Sequence, residues 1–339
     1  MKITACGIDL AKNVFQFHGV NGAGKTVQKK QIKRDKMAEF FMKLPPCLVG
    51  MEACGSAHYW ARRLTSWGHV VKLIAPQFVK PYVKTNKHDA ADAEAICEAV
   101  QRPNMRFVPI KTREQQAILA VHRARQGCIK ARTAQGNQIR GLLAEFGIIM
   151  PIGLASVRQR IPTLLDDATE ELPRIFVNLI LQLLEVFHTL DRHVAELELV
   201  IQRWHRSMPA SVRLEKIPGI GPITASALVA SIGDARNFTN GRQLAAWLGL
   251  VPKQHSTGGR ANLLGISKRG DTYLRTLLIH GARAVILHAS RKVDDDWLHR
   301  LMGRRNKNVV TVALANKNAR TVWALLAHDR EFQSDYAAA

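Results

Sequence analysis

Four acids stand where carboxylates can converge on one site. Asp9 closes a strand-like run, Cys6-Gly7-Ile8-Asp9-Leu10-Ala11-Lys12, and Glu52 closes another, Val49-Gly50-Met51-Glu52-Ala53. If the second run returns beside the first through a right-handed crossover, both side chains emerge next to each other at the carboxyl edge of the sheet. Asp89 and Asp92, in His88-Asp89-Ala90-Ala91-Asp92-Ala93, are spaced i and i+3 and share one helix face. Adjacent carboxylates repel unless a cation lies between them. An all-oxygen donor set suits Mg²⁺, and a pair of such ions activates a nucleophile and stabilises a leaving oxygen in phosphoryl transfer. Taken alone, the Asp89 and Asp92 pair also fits a helix N-cap with an acid in the first turn. The strand-end acids favour the metal.

The elements that must position these acids can be read from the pattern. Strand-prone runs at 2–9, 12–19 and 25–32, joined by turn residues, form an antiparallel meander. A helix at 35–43, a strand at 47–51, a helix at 56–67, a strand at 70–75 and a helix at 89–100 follow. The order βββαβαβα predicts an α/β domain ending near residue 105. A competing motif overlaps it: Gly19-Val20-Asn21-Gly22-Ala23-Gly24-Lys25-Thr26 matches the P-loop pattern, which would make the chain an ATPase acting on nucleic acid. A P-loop needs a helix beginning at the Lys-Thr. The residues that follow, Val27 to Arg34, carry no helical apolar stripe, so Asn21 to Gly24 reads better as a hairpin turn.

The chain has 339 residues with 49 Lys and Arg against 27 Asp and Glu, a formal net charge of +22. That balance points to a polyanionic partner and away from an enzyme of neutral small molecules. The 47% hydrophobic content excludes disorder for most of the chain. From Arg102 to Arg140 there are nine basic residues and one acid, Glu114, on helical sequence. Arg123, Arg125, Lys130 and Arg132 are candidates to track phosphates, with a solvated helix surface as the alternative. Between Phe176 and Trp204, apolar residues recur at alternating spacings of four and three, a heptad seam whose partner is either the basic helix of the same chain or a second protomer. The five cysteines form no C-x-x-C pair and read as reduced core thiols of a cytosolic protein. Neither a signal peptide nor a membrane span is expected.

Two further motifs lie in the helical C-terminal part. Ile217-Pro218-Gly219-Ile220-Gly221-Pro222 precedes an apolar helix, as in a helix-hairpin-helix whose glycines, Gly219 and Gly221, let backbone N–H groups approach a phosphate; a tight turn between core helices is the alternative. Gly249-Leu250-Val251-Pro252-Lys253-Gln254-His255-Ser256-Thr257-Gly258-Gly259-Arg260 ends an apolar helix in an exposed loop that holds a hydroxyl between cations. Ser256 can attack a phosphodiester if deprotonated, with Lys253, Arg260, Lys268 and Arg269 near enough in sequence to bind the phosphate; by themselves these residues also fit a phosphate-contacting loop without catalysis.

In combination, Gly-Ile-Asp-Leu-Ala-Lys at Asp9, Met-Glu-Ala-Cys-Gly at Glu52, His-Asp-Ala-Ala-Asp-Ala at Asp89, Ile-Pro-Gly-Ile-Gly at 217 and the serine-bearing segment at 249 resemble the DEDD transposases of bacterial insertion sequences, the bridge-RNA-guided recombinases. The resemblance runs from about residue 3 to about 330. It implies a RuvC-like (RNase H fold) domain at 1–105, a basic helix and coiled-coil region at 106–209, a mostly α transposase domain at 210–330 and a tail at 331–339. It further implies that Asp9, Glu52, Asp89 and Asp92 form a Mg²⁺ cluster and that Ser256 becomes covalently attached to DNA, with Thr257 as the alternative because the loop here reads Ser-Thr-Gly-Gly. The partners it implies are donor and target DNA, a structured non-coding guide RNA and further copies of the chain, as a dimer or tetramer, in the bacterial cytoplasm at the nucleoid. A RuvC-like nuclease that makes no covalent intermediate is the rival reading.

Overall fold

The computed structural model describes residues 2–83, 89–167, 172–292 and 296–333. The chain divides into two units, Met1–Thr112 and Arg113–Ala339.

The first unit is built on strands β1 (Ala5–Leu10), β2 (Val14–Val20), β3 (Thr26–Lys33), β4 (Leu48–Glu52), β5 (Val70–Ile74) and β6 (Phe107–Val108). They form one sheet in the order β3-β2-β1-β4-β5-β6. The first three strands make an antiparallel meander, β4 and β5 run parallel to β1, and the short β6 adds an antiparallel edge. The helices are α1 (Met37–Lys43), α2 (Ala57–Ser66), α3 (Pro76–Val79) and α4 (Asp89–Val100). The expected βββαβαβα order is present, with α3 and β6 added to it. Alternation decides the faces. Ile8, Phe15, Phe17, Met51 and Leu73 point to the layer of Phe41, Trp60 and Leu64 from α1 and α2, whereas Ile74 packs with Ile96 and Val100 of α4 on the opposite face. The lysines of β3 lie on the outer edge, where charge discourages pairing with another chain.

The second unit begins with α5 (Arg113–Glu145), α6 (Leu154–Asp167) and α7 (Arg174–Ser207). Then come α8 (Pro209–Glu215), α9 (Pro222–Ile232) and α10 (Gly241–Trp247), a two-stranded hairpin of β7 (Pro252–Thr257) and β8 (Arg260–Ile266), and α11 (Thr272–Lys292), α12 (Asp296–Met302) and α13 (Lys307–His328). The heptad seam of α7 packs against α5 of the same chain: Ile180 and Phe187 join Ile139 and Leu143, and Ile201 joins Ile118. The two helices are antiparallel, because Arg125 pairs with Glu198 while Arg132, further along α5, pairs with Asp191, earlier on α7. The basic stretch is therefore not without internal neutralisation, contrary to the sequence expectation. Arg125 and Arg132 are half-buried ion-pair partners of α7, and Arg123 and Lys130 are the exposed members of the set. The thiols also differ from expectation: Cys6, Cys47 and Cys97 are core, but Cys54 is exposed and Cys128 half-buried. No helix among the described residues is long and apolar enough to cross a membrane.

A buried polar link ties α5 to the C-terminal helices. His122 is 1% exposed. Its Nδ1 lies 3.0 Å from the Tyr273 hydroxyl and its Nε2 lies 3.2 Å from Ser226 Oγ. The Ser226 hydroxyl donates to the Pro222 carbonyl at 2.6 Å, so it accepts from His122 Nε2–H, and Tyr273 donates to Nδ1. A protonated ring would donate from both nitrogens, so the Tyr273 hydroxyl would have to turn and accept instead. Burial first, and then the Arg125 charge, push His122 down to about 4 from 6.5. Between those two pH values the unfolded chain binds a proton that the folded chain does not, so the stability this group contributes is present above pH 6.5 and is lost as pH falls toward about 4. Urea unfolding of His122→Gln across that interval should show a flatter pH dependence than wild type, and equal slopes would rule out the neutral, buried ring.

Candidate active site

The parallel register of β1 on β4 pairs Gly7 with Gly50 and Ile8 with Met51, so Asp9 and Glu52 end neighbouring strands side by side. Strand alternation puts both on the face covered by α4: Glu52 is level with Ile74, which packs on that helix, and Gly7 and Gly50 lie two residues before Asp9 and Glu52. Both acids are half-buried. Burial, and then the carboxylates of Glu52 and Asp9, hold the Cys54 thiol above the ordinary cysteine value, so one thiol at this strand end senses both charges.

The glycines set how near α4 can come. A Cβ on Gly7 would lie 2.2 Å from the Ala93 carbonyl oxygen and 2.4 Å from the Cys97 nitrogen, and one on Gly50 would lie 2.8 Å from Val100 Cβ. The helix thus rests almost backbone to backbone on β1. Ala93 lies at Gly7, while Cys97, one turn later, also packs with Ala5, two residues earlier on β1, and with Val20, the cross-strand partner of Ala5. The helix α4 therefore runs back toward the start of β1, and its first turn extends toward the strand ends that carry Asp9 and Glu52. Asp92, half-buried, lies in that turn, and Asp89 starts the helix; the Asp89 side chain is outside the described residues. Among the described residues no group of three or more His, Cys, Asp or Glu is assembled tightly enough to hold a metal. The donor chemistry nevertheless suits a hard divalent cation: the described acids offer only carboxylate oxygens, and two of them sit on neighbouring strand ends, where like charges are costly without a counter-ion.

The P-loop reading does not survive. Gly19 and Val20 finish β2, Asn21 to Gly24 form a turn in which Asn21 Oδ1 accepts from the N–H groups of Ala23 and Lys25 at 3.0 Å each, and Thr26 opens β3. No helix N-terminus is present there to hold a phosphate.

Ser256 lies on a strand, not in a loop. It sits in β7 opposite Ala261 of β8, is exposed, and its Oγ accepts a 2.8 Å hydrogen bond from Gln254 Nε2. Thr257 faces Arg260 across the Gly258-Gly259 turn, and Lys253, Arg260, Lys268 and Arg269 are all exposed around the hairpin. The base of the hairpin is clasped. Ser267 N–H donates to Val251 and Lys268 N–H to Gly249, and Arg275, 7% exposed, reaches the carbonyls of Leu248 and Arg269 at 3.1 Å each and the Thr272 hydroxyl at 3.1 Å. Sequence reading missed Arg275; a cation among Leu274, Leu277 and Leu278 on an otherwise apolar helix face was the available signal. The turn between α8 and α9 has a sufficient internal explanation for Gly219, whose Cβ would fall 2.8 Å from the Gly281 carbonyl oxygen. The Pro218 carbonyl accepts from Asn318, whereas Gly221 is exposed with open space around it.

A six-stranded mixed sheet of this order, with acids at the ends of β1 and β4, is consistent with a RuvC-like domain. Two family models match the chain, one of DEDD transposases over residues 6–148 and one of the transposase IS116/IS110/IS902 family over residues 211–297. A probable family 20 transposase of Pseudomonas aeruginosa is 55% identical over 332 residues, 97% of this chain and 98% of the relative. The transposase for insertion sequence element IS1328 of Yersinia enterocolitica is 42% identical, with 95% and 96% covered. A pilin gene-inverting protein of Moraxella bovis is 24% identical over 98% of each chain. The chain belongs to the IS110/IS116 family of insertion-sequence transposases, enzymes that cleave and rejoin DNA.

Two substitutions test the geometry. Gly7→Ala should cost about 1–3 kcal/mol by overpacking, read as a lower urea midpoint, with Gly50→Ala milder because a valine side chain can give way. A Gly7→Ala protein as stable as wild type would mean that α4 is not seated on β1. Arg275→Met should leave the Leu248 and Arg269 carbonyls short of donors and speed hydrogen exchange at the Ser267 and Lys268 amides; Arg275→Lys should not restore protection, because an ammonium cannot reproduce the planar fork.

Proposed function

We propose that this transposase cuts and rejoins DNA through a covalent serine intermediate, with the acid cluster of the first unit and the hairpin of the second acting on one phosphodiester. The placement of Asp9 and Glu52 on adjacent strand ends, with the first turn of α4 extending toward them, carries the reading. A Mg²⁺ ion held by Asp9, Glu52, Asp89 and Asp92 would offset charge on the phosphate oxygens and lower the cost of the serine alkoxide. Ser256 Oγ attacks phosphorus, the Oγ–P bond forms as the P–O3′ bond breaks, and the 3′ oxygen leaves carrying a proton. Attack by another strand's 3′-hydroxyl reverses the step and frees the serine. The phosphoseryl ester replaces one phosphodiester linkage with another, so no nucleotide hydrolysis is needed.

Lys253, Arg260, Lys268 and Arg269 bind the phosphates flanking the scissile bond, and the exposed Arg123 and Lys130 of α5 track the backbone further away. Arg125 and Arg132 do so only if they leave Glu198 and Asp191, and Gly221 is a better candidate than Gly219 for a backbone phosphate contact. Donor and target are chosen by a structured guide RNA, and copies of the chain assemble so that acids and serine meet at one phosphorus. The support for this is the net charge of +22, the motif resemblance and the relationship to a gene-inverting protein, whose named role is a DNA rearrangement.

Suicide DNA substrates test the chemistry. Wild type should accumulate a protein–DNA adduct, Ser256→Ala should form none, and Asp9→Asn should form none while still retaining copurifying RNA. An adduct that persists in Ser256→Ala and disappears in Thr257→Ala would move the nucleophile by one residue. Cleavage with no adduct in wild type would leave a hydrolytic nuclease instead.

A further inference from the structure

At the end of the N-terminal sheet where β1 turns into β2 and β3 finishes, an open cleft of about 660 Å³ is lined by Asn13, Lys33, Arg34, Asp35, Tyr59 and Trp60, among others. Its wall combines an exposed ring with cations, and both are held in place. Tyr59 is 45% exposed, yet its ring packs edge-on against Trp60 with centroids 5.2 Å apart, and Trp60 packs edge-on against buried Phe15 at 5.6 Å. The Arg34 guanidinium lies 5.6 Å from the Phe15 ring centre and 5.8 Å from that of Trp60, and it donates to the Lys12 carbonyl at 3.2 Å. An anchored ring and an anchored cation lose little freedom when a ligand arrives.

We propose that this cleft binds one unpaired nucleotide of a nucleic-acid strand, its base stacked on Tyr59 and its phosphate held by Arg34 and Lys33. A site for inorganic phosphate has no use for an exposed ring, and an apolar ligand would not be met by two cations. Asp35 on the same wall disfavours a run of phosphates and can accept from base or sugar donors. A paired base keeps its faces within the duplex stack, so only an unstacked nucleotide offers a face to the Tyr59 ring. Asn13 follows Asp9 by four residues, and Tyr59 follows Glu52 by seven, so the cleft shares the sheet end of the acid pair. It lies on the side of α2, whereas the acids face α4. A strand crossing that end passes both, which fits a cleft that grips a flanking nucleotide. This inference rests on the first unit acting on nucleic acid, but not on the identity of the nucleophile.

The test uses the full chain and a thymidine tract carrying 5-iodo-deoxyuridine, or the matching 5-iodouridine RNA, irradiated and mapped by mass spectrometry of the peptides. Adducts should fall on the peptide that contains Tyr59, and the arm that gives them identifies DNA or RNA as the source. Yield at that peptide should drop about tenfold in Arg34→Ala and stay near wild type in Tyr59→Phe, which keeps the ring. Asp9→Asn should retain the adduct while losing DNA cleavage, so failure of the metal chemistry and failure of the cleft give different results. Adducts confined to other peptides with both probes, or a yield at Tyr59 untouched by Arg34→Ala, would overturn the proposal.

Discussion

The nearness of α4 to β1 is the constraint on which the rest of the N-terminal unit depends. Side-chain layers normally keep a helix about 10 Å from a sheet, as in sheet-on-sheet packing. Here two strands present glycine to the helix, and at Gly7 the neighbours that a Cβ would strike are backbone atoms of residues 93 and 97. That contact draws the first turn of α4 down toward the strand ends. It also explains the glycine two residues before Asp9: any side chain at Gly7 would push α4 off β1. The cost of this arrangement is electrostatic. Asp9 and Glu52 carry like charges on neighbouring strands, and the Cys54 thiol, raised first by burial, senses both.

Much of this was legible in the order of residues because the signals are local. Strand alternation, the turn at Asn21 to Gly24 and the positions of Asp9 and Glu52 follow from neighbours a few residues apart, and register then does the rest. What was not legible depended on partners far along the chain. The one-sided charge of α5 looked uncompensated within its own segment, yet Glu198 and Asp191 lie 73 and 59 residues from the arginines they neutralise. Spacing recognised the seam of α7 but could not choose its partner, since a heptad packs as well on a helix of its own chain as on a copy. His122 carried no local mark at all, because its two hydrogen-bond partners sit on α9 and α11.

The serine segment was the instructive miss. Gly, Ser and Thr in sequence suggest a loop, but alternating exposure is not required of a strand that buries neither face. Both β7 and β8 are exposed through almost their whole length, including Leu263 and Leu264, so nothing in a hydrophobic core fixes their pairing. An isolated two-stranded hairpin is marginal in water, and register is weakly specified where no face is buried. Order must therefore come from the ends.

At the tip, Gly258 and Gly259 adopt positive φ. At the base, Gly249 and Gly270 pass within contact of opposing backbone, and Arg275 binds carbonyls on both sides of the hairpin's foot. A buried guanidinium ordinarily takes a carboxylate partner. Satisfied by carbonyls and a hydroxyl, it keeps its positive charge at the foot of a hairpin already flanked by Lys253, Arg260, Lys268 and Arg269, so the same residue that clasps the hairpin also adds to the positive field around it. Arg275 thus contributes to both the position and the charge of the hairpin, alongside the glycines at its ends and the four surface cations, which is how so exposed a hairpin can hold its pairing.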